Sequence, residues 1–106
     1  MAAEESPYKM ITCIVQRGKA DAVVDASLEA GATGATIYYG RGRGIRENIG
    51  FMGRLIKPEK EVIIIVTRPE ETDAVFKAVV KKARLTKKGM GFAFLHKIDR
   101  AIGFVP

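Results

Sequence analysis

Sliding the chain against itself by 52 residues sets Ile11 on Ile63, Asp21 on Asp73, Ala22 on Ala74, Val23 on Val75 and Ala26 on Ala78. At the same offset Ile14 meets Val66 and Val24 meets Phe76. Composition does not produce such a match; two half-domains of one plan do. With 106 residues in all, each half is one supersecondary unit and the whole is a single domain, 1–106.

Each half opens on a strand. Lys9 to Gln16 is rich in β-branched and apolar residues, and Glu61 to Thr67 is nearly continuous Val and Ile. A helix follows each strand. In the first, Ala20, Val23, Val24 and Leu28 recur at helical spacing, and Gly31 caps the run. In the second, Val75, Phe76, Val79, Val80 and Ala83 form a one-sided stripe. Its start carries Pro69, Glu70 and Glu71, and its end Lys81, Lys82 and Arg84, as the helix dipole favours. Each half returns to a strand, at Ala35–Tyr39 and at Phe92–Ile98.

Strand, helix, strand, twice over, predicts an α+β, ferredoxin-like βαββαβ fold. Right-handed crossovers put both helices on one face of a four-stranded antiparallel sheet. The other face then lacks a cover, which makes it a partner or ligand surface, and homo-oligomerisation is the economical way to bury it.

Several function classes fall away. No run approaches the roughly 18–20 apolar residues that span a bilayer, and the acidic opening Met-Ala-Ala-Glu-Glu-Ser has neither basic nor apolar signal-peptide regions. One cysteine, Cys13, and one histidine, His96, rule out a disulfide framework and a structural zinc site. A cytoplasmic setting is expected. No nucleophile, base and orienting group can be assembled around Cys13, His96 or the carboxylates Asp21, Asp25 and Glu29, so catalysis is not expected.

Two loops hold what remains. Between the second and third strands of the plan lie about 20 residues, Gly40 to Lys60, where a hairpin needs two to five. Arg41, Arg43, Arg46, Arg54 and Lys57 stand there against Glu47 alone within residues 40–57, in a chain whose formal net charge is +6. Gly40, Gly42, Gly44, Gly50 and Gly53 allow backbone N–H groups to face an anion. The Gly-Arg steps also suggest RNA, but they are few and no aromatic is interleaved beyond Phe51. The second loop is Thr86-Lys87-Lys88-Gly89-Met90-Gly91-Phe92, where two glycines follow two lysines in a compact turn suited to phosphate. It lacks the spacing of a Walker A motif.

The doubled βαβ plan, the long basic loop and the Lys-x-Gly-x-Gly turn together resemble the PII signal-transduction family over nearly the whole chain. That resemblance implies a homotrimer binding ATP or ADP in its intersubunit clefts, with no other cofactor. It makes residues 40–60 the T-loop, which docks on a membrane transporter or metabolic enzyme, and residues 84–92 the B-loop. Carried over by position, Ile14 and Thr36 lie along the base, Gly42 and Gly44 at the T-loop base, and Ile65 and Val66 along the same cleft. Lys87, Gly89 and Gly91 meet the phosphates, Lys88, Met90 and Phe92 complete the nucleotide-binding set, and Arg41, Arg43, Arg46 and Arg54 meet the partner.

The departures from the family pattern are specific. Residues 40–60 contain no tyrosine or serine to modify. Arg46 stands where the family has a glutamine that helps to hold magnesium and 2-oxoglutarate. Phe92 replaces a lysine, and Gly103 and Val105 replace two arginines. Fewer cations imply ADP or AMP favoured over ATP, or a second small anion such as bicarbonate beside the nucleotide. Nitrogen regulation is the family's usual setting. A ferredoxin-like trimeric scaffold without nucleotide and a basic nucleic-acid-binding module are the alternatives.

Overall fold

A computed structural model describes residues 4–42 and 59–104. Its elements are β1 (Glu4–Glu5), β2 (Lys9–Gln16), α1 (Ala20–Glu29), β3 (Thr36–Arg41), β4 (Glu59–Thr67), α2 (Thr72–Ala83), β5 (Gly91–Lys97) and β6 (Arg100–Ala101). β2 to β5 make one antiparallel sheet in the order β3–β4–β2–β5. The strands that open the two repeats therefore lie side by side at its centre, with Ile11 opposite Ile65 and Cys13 opposite Ile63. Each half closes on the other: β3 pairs with β4, and β5 with β2. This is the expected ferredoxin-like α+β plan.

Alternation sorts the strands onto two faces. Ile11, Cys13, Val15, Ile63 and Ile65 point to the helices and are buried with Val23 of α1 and with Val75 and Val79 of α2. Fully burying each such side chain is worth about 1.5–3 kcal/mol. The repeat partners Ile11 and Ile63, and Val23 and Val75, all sit in this core. Burial lifts the Cys13 thiol to a pKa of about 11.

The opposite face carries Met10, Ile14, Val62, Ile64, Val66, Tyr38, Phe92 and Phe94 in register, and no described element covers it. Phe92 is 61% exposed and Phe94 40%. Rings of Phe92, Phe94 and His96 follow one another along β5 at 5.5 and 5.9 Å.

The repeat places the two helix N-caps at equivalent positions, Lys19 and Glu71. Neither side chain caps its own helix with a hydrogen bond. The Glu61 carboxylate, arriving from β4, instead accepts from Gly18 N–H at 2.6 Å and Ala20 N–H at 3.1 Å, anchoring the start of α1. Before α2, Glu71 accepts from Arg68 N–H at 2.9 Å and from its guanidinium at 2.9 Å. The Thr72 hydroxyl donates to the Arg68 carbonyl at 2.8 Å and lies 2.7 Å from the Thr67 hydroxyl. The helices also end differently. Beyond α1, Gly31 has φ +120°, whereas α2 turns through Arg84 at φ +56°. That left-handed conformation costs a non-glycine residue about 1 kcal/mol.

Some expected boundaries shift. β3 runs on through Gly40 and Arg41, and β4 begins at Glu59, so pairing removes both ends of the expected 40–60 loop. Pro69, Glu70 and Glu71 form a turn, and the helix starts at Thr72. The cap of α1 is Ala30, with Gly31 one residue beyond. β1 and β6 were not expected: Glu4 pairs with Ala101 and Glu5 with Arg100, and Tyr8 meets Phe104 edge-on at 4.7 Å between ring centres.

Candidate functional site

Sheet register brings the two candidate loops to one end of the molecule. Gly40, Lys60 and Gln16 share a row across β3, β4 and β2, and Val15 at that end of β2 faces Gly91. The Gln16 side-chain amide donates to the Gly89 carbonyl at 3.3 Å, tying the lysine-glycine turn to β2. Gly91 is needed where it lies: at φ +146° any Cβ would collide with the Ile14 carbonyl oxygen. Gly89, at φ +80°, lets the turn reverse. Within it, Lys87 N–H donates to the Arg84 carbonyl at 3.0 Å and Met90 N–H to the Lys87 carbonyl at 3.4 Å. Lys87 and Lys88 are exposed, and Met90 is half-buried.

The expected nucleotide residues fall into groups. Ile14 lies on the uncovered face, opposite Val62 on one side and Phe92 on the other, so it adjoins the Lys87–Phe92 turn. Gly42 follows β3 at this same end, where an added Cβ would crowd the Lys60 side chain at 3.1 Å. Thr36 is exposed at the start of β3, opposite Ile64. Val66 faces Met10 across the ladder, four residues along β4 from the Val62 that faces Ile14. That is roughly 13 Å along the strand. Ile65 is fully buried on the helix side, so its side chain faces away from the surface that Val66 lines. Arg41 ends β3, exposed and opposite Glu59. Gly44, Arg43, Arg46 and Arg54 lie outside the described residues.

Two residues at this end escaped the sequence reading, Gln16 and Lys60. Nothing in a strand-terminal glutamine marks it as a brace for a turn 73 residues away. Lys60 was visible at the close of the long loop, but only the pairing of Lys60 with Gly40 and Gln16 puts it between the loops. Among the described residues no group of three or more His, Cys, Asp or Glu could hold a metal ion. No described helix is long and apolar enough to cross a membrane.

A doubled βαβ domain with an uncovered sheet face and a lysine-glycine turn braced beside it is a ferredoxin-like α+β module. The family model for nitrogen regulatory protein P-II matches residues 8–104, and the chain belongs to that family. A comparison with curated proteins finds no match.

Proposed function

We propose that this PII-family signalling protein works as a non-catalytic homotrimer that binds an adenine nucleotide between subunits, ADP or AMP in preference to ATP. Through the basic 40–60 segment it regulates a transporter or metabolic enzyme in the cytoplasm. The observation that carries the reading is the convergence of Gly42, Lys60 and the Gln16-braced Lys87–Gly91 turn at one sheet end. A glycine that admits no side chain, Gly91, and exposed ammonium groups suit a phosphate chain.

Two further features support it. The middle of the uncovered face, with Ile14, Tyr38, Val62, Ile64, Phe92 and Phe94, is largely apolar, as a face buried between subunits would be. Thr36 and Val66 stand apart from the phosphate-facing turn, so a ligand held by both groups draws on two chains more readily than on one.

Calorimetric titration with AMP, ADP and ATP, with and without magnesium and 2-oxoglutarate, tests the nucleotide. ADP or AMP should bind tightest. Magnesium–ATP binding tightest, and tighter still with 2-oxoglutarate, would overturn the preference; no binding at all would leave the trimeric scaffold. Light scattering reads the trimer directly.

One observation favours a second reading, a nucleic-acid module. The Phe92–Phe94–His96 ladder is an aromatic platform that the loop sequence lacked. Yet the rows around it hold Met10, Thr12, Ile14, Ile64 and Val66 rather than cations, which suits protein burial better. A salt-dependent gel shift with RNA separates the two.

A further inference from the structure

Away from the uncovered face, the helix layer carries two adjoining surface grooves. One, of about 530 Å³, has Phe76 and Val80 among its lining, with Lys77, Lys81, Arg84 and Lys87, and no acidic residue lines it. The other, of about 620 Å³, lies between α1 and α2 and shares Lys81 and Arg84; Glu29 is its one acidic lining residue. An oligomer formed through the opposite sheet face leaves both grooves outside.

We propose that these grooves together dock an extended acidic segment of a partner protein, with its carboxylates along the α2 cations and an apolar side chain against Phe76 and Val80. The geometry of the charge favours that occupant. Lys77 and Lys81 follow one another at i and i+4 on α2, about 6 Å along its axis, and Arg84, the C-cap just past the helix, lines the same groove. One compact phosphate would be held by cations converging on a point, whereas a line of cations matches charges spaced along a chain. Helix-dipole neutralisation accounts for cations in the last turn, Lys81 and Lys82, but not for Lys77, which lies before that turn.

Arg84 supplies the independent observation. It is the one described non-glycine residue with positive φ, and it lies where the two grooves meet. A left-handed helix exit favours glycine, and α1 reaches positive φ only at a glycine, Gly31, one residue beyond its cap. An arginine held in that conformation against its backbone preference points to a task for its side chain.

The test is fluorescence anisotropy with a labelled dodecapeptide of alternating glutamate and leucine pairs, alongside melting curves. Wild-type protein should bind, with affinity falling at least about tenfold between ~50 and ~300 mM salt. Lys77→Glu with Lys81→Glu should abolish binding while nucleotide titrations on the same variant are unchanged, which separates the α2 cations from the proposed nucleotide site, with which the groove shares Lys87. Arg84→Gly should weaken the peptide about fivefold while the melting temperature holds or rises. Undiminished peptide binding in either variant overturns the proposal. So does a melting temperature lowered by Arg84→Gly, which would make the arginine structural, or displacement of the peptide by equimolar tripolyphosphate, which would make the site a compact anion hole.

Discussion

The two halves share one topology but secure their helices differently. At the same repeat position the first half has Lys19 and the second Glu71. With lysine rather than glutamate at its N-cap, α1 is anchored by Glu61 from β4, some forty residues away; α2 is preceded by a self-contained turn in which Arg68 binds both Glu71 and Thr72. At the far ends the order of convenience reverses, for α1 exits through glycine and α2 through a left-handed arginine. A repeat conserves the path of the chain, and the polar groups that hold the path can be supplied from wherever the fold brings them.

Breaking the long-range anchor should have the largest effect. Glu61→Ala leaves two N–H groups without their carboxylate, Ala20's among the buried residues, and should cost about 2–3 kcal/mol. In a domain of this size the melting temperature should fall by about 10 °C or more. Adding Lys19→Asp to that variant gives the first half a local cap, and should recover about 1 kcal/mol. If Glu61→Ala costs no more than Glu71→Ala, the contrast between the halves fails.

The local turn should show a smaller and pH-dependent effect. The hydrogen bond from the Arg68 guanidinium holds the Glu71 carboxyl below its usual pKa, against the opposing pull of burial. A carboxylate depressed in the fold contributes stability that is present above its unfolded pKa of about 4.3 and is lost as pH falls through its folded value. Glu71→Gln should therefore cost about 1 kcal/mol at pH 7, and the gap from wild type should close in acid. Urea midpoints across that range measure it; a gap that persists at pH 2.5 would show that the carboxylate's charge is irrelevant.

The helix exits predict opposite signs. Gly31→Ala, at φ +120°, should destabilise by about 1 kcal/mol, while Arg84→Gly should stabilise by a few tenths up to that amount. Cys13 gives the smallest perturbation. Buried and with a raised pKa, its thiol should react with a thiol reagent only as fast as the core opens, whereas the unfolded chain reacts at once. Fast labelling of the native protein would place the weak point in β2.

Much of this fold was legible because periodicity is a sequence property. The offset that aligned Ile11 with Ile63 also aligns the two N-caps, and strand alternation put Phe92 and Phe94 on the face opposite Ala93. The same rule could have separated Ile65 from Val66, since adjacent strand residues point to opposite faces. What could not be read has physical reasons. Two-residue strands such as β1 and β6 carry no period. The Glu61 anchor and the Gln16 brace depend on chain segments that only the fold makes neighbours. Arg84 was visible as a charge at a helix end, but its backbone conformation was not. Of the candidate site, the glycine positions of the 86–92 turn were legible, and Arg43, Arg46, Arg54 and Lys57 of the long loop lie outside the described residues.

The reach of Glu61 sets an order of events. As the chain is made, β2 and α1 exist before the carboxylate that steadies them, so the first helix must wait for a contact 41 residues ahead of Ala20. The turn before α2 closes over three residues and can form at once. Loop-closure entropy therefore weighs on the anchor of α1 and scarcely on that of α2. The helix that is synthesised first is the one that depends on the longer loop closure.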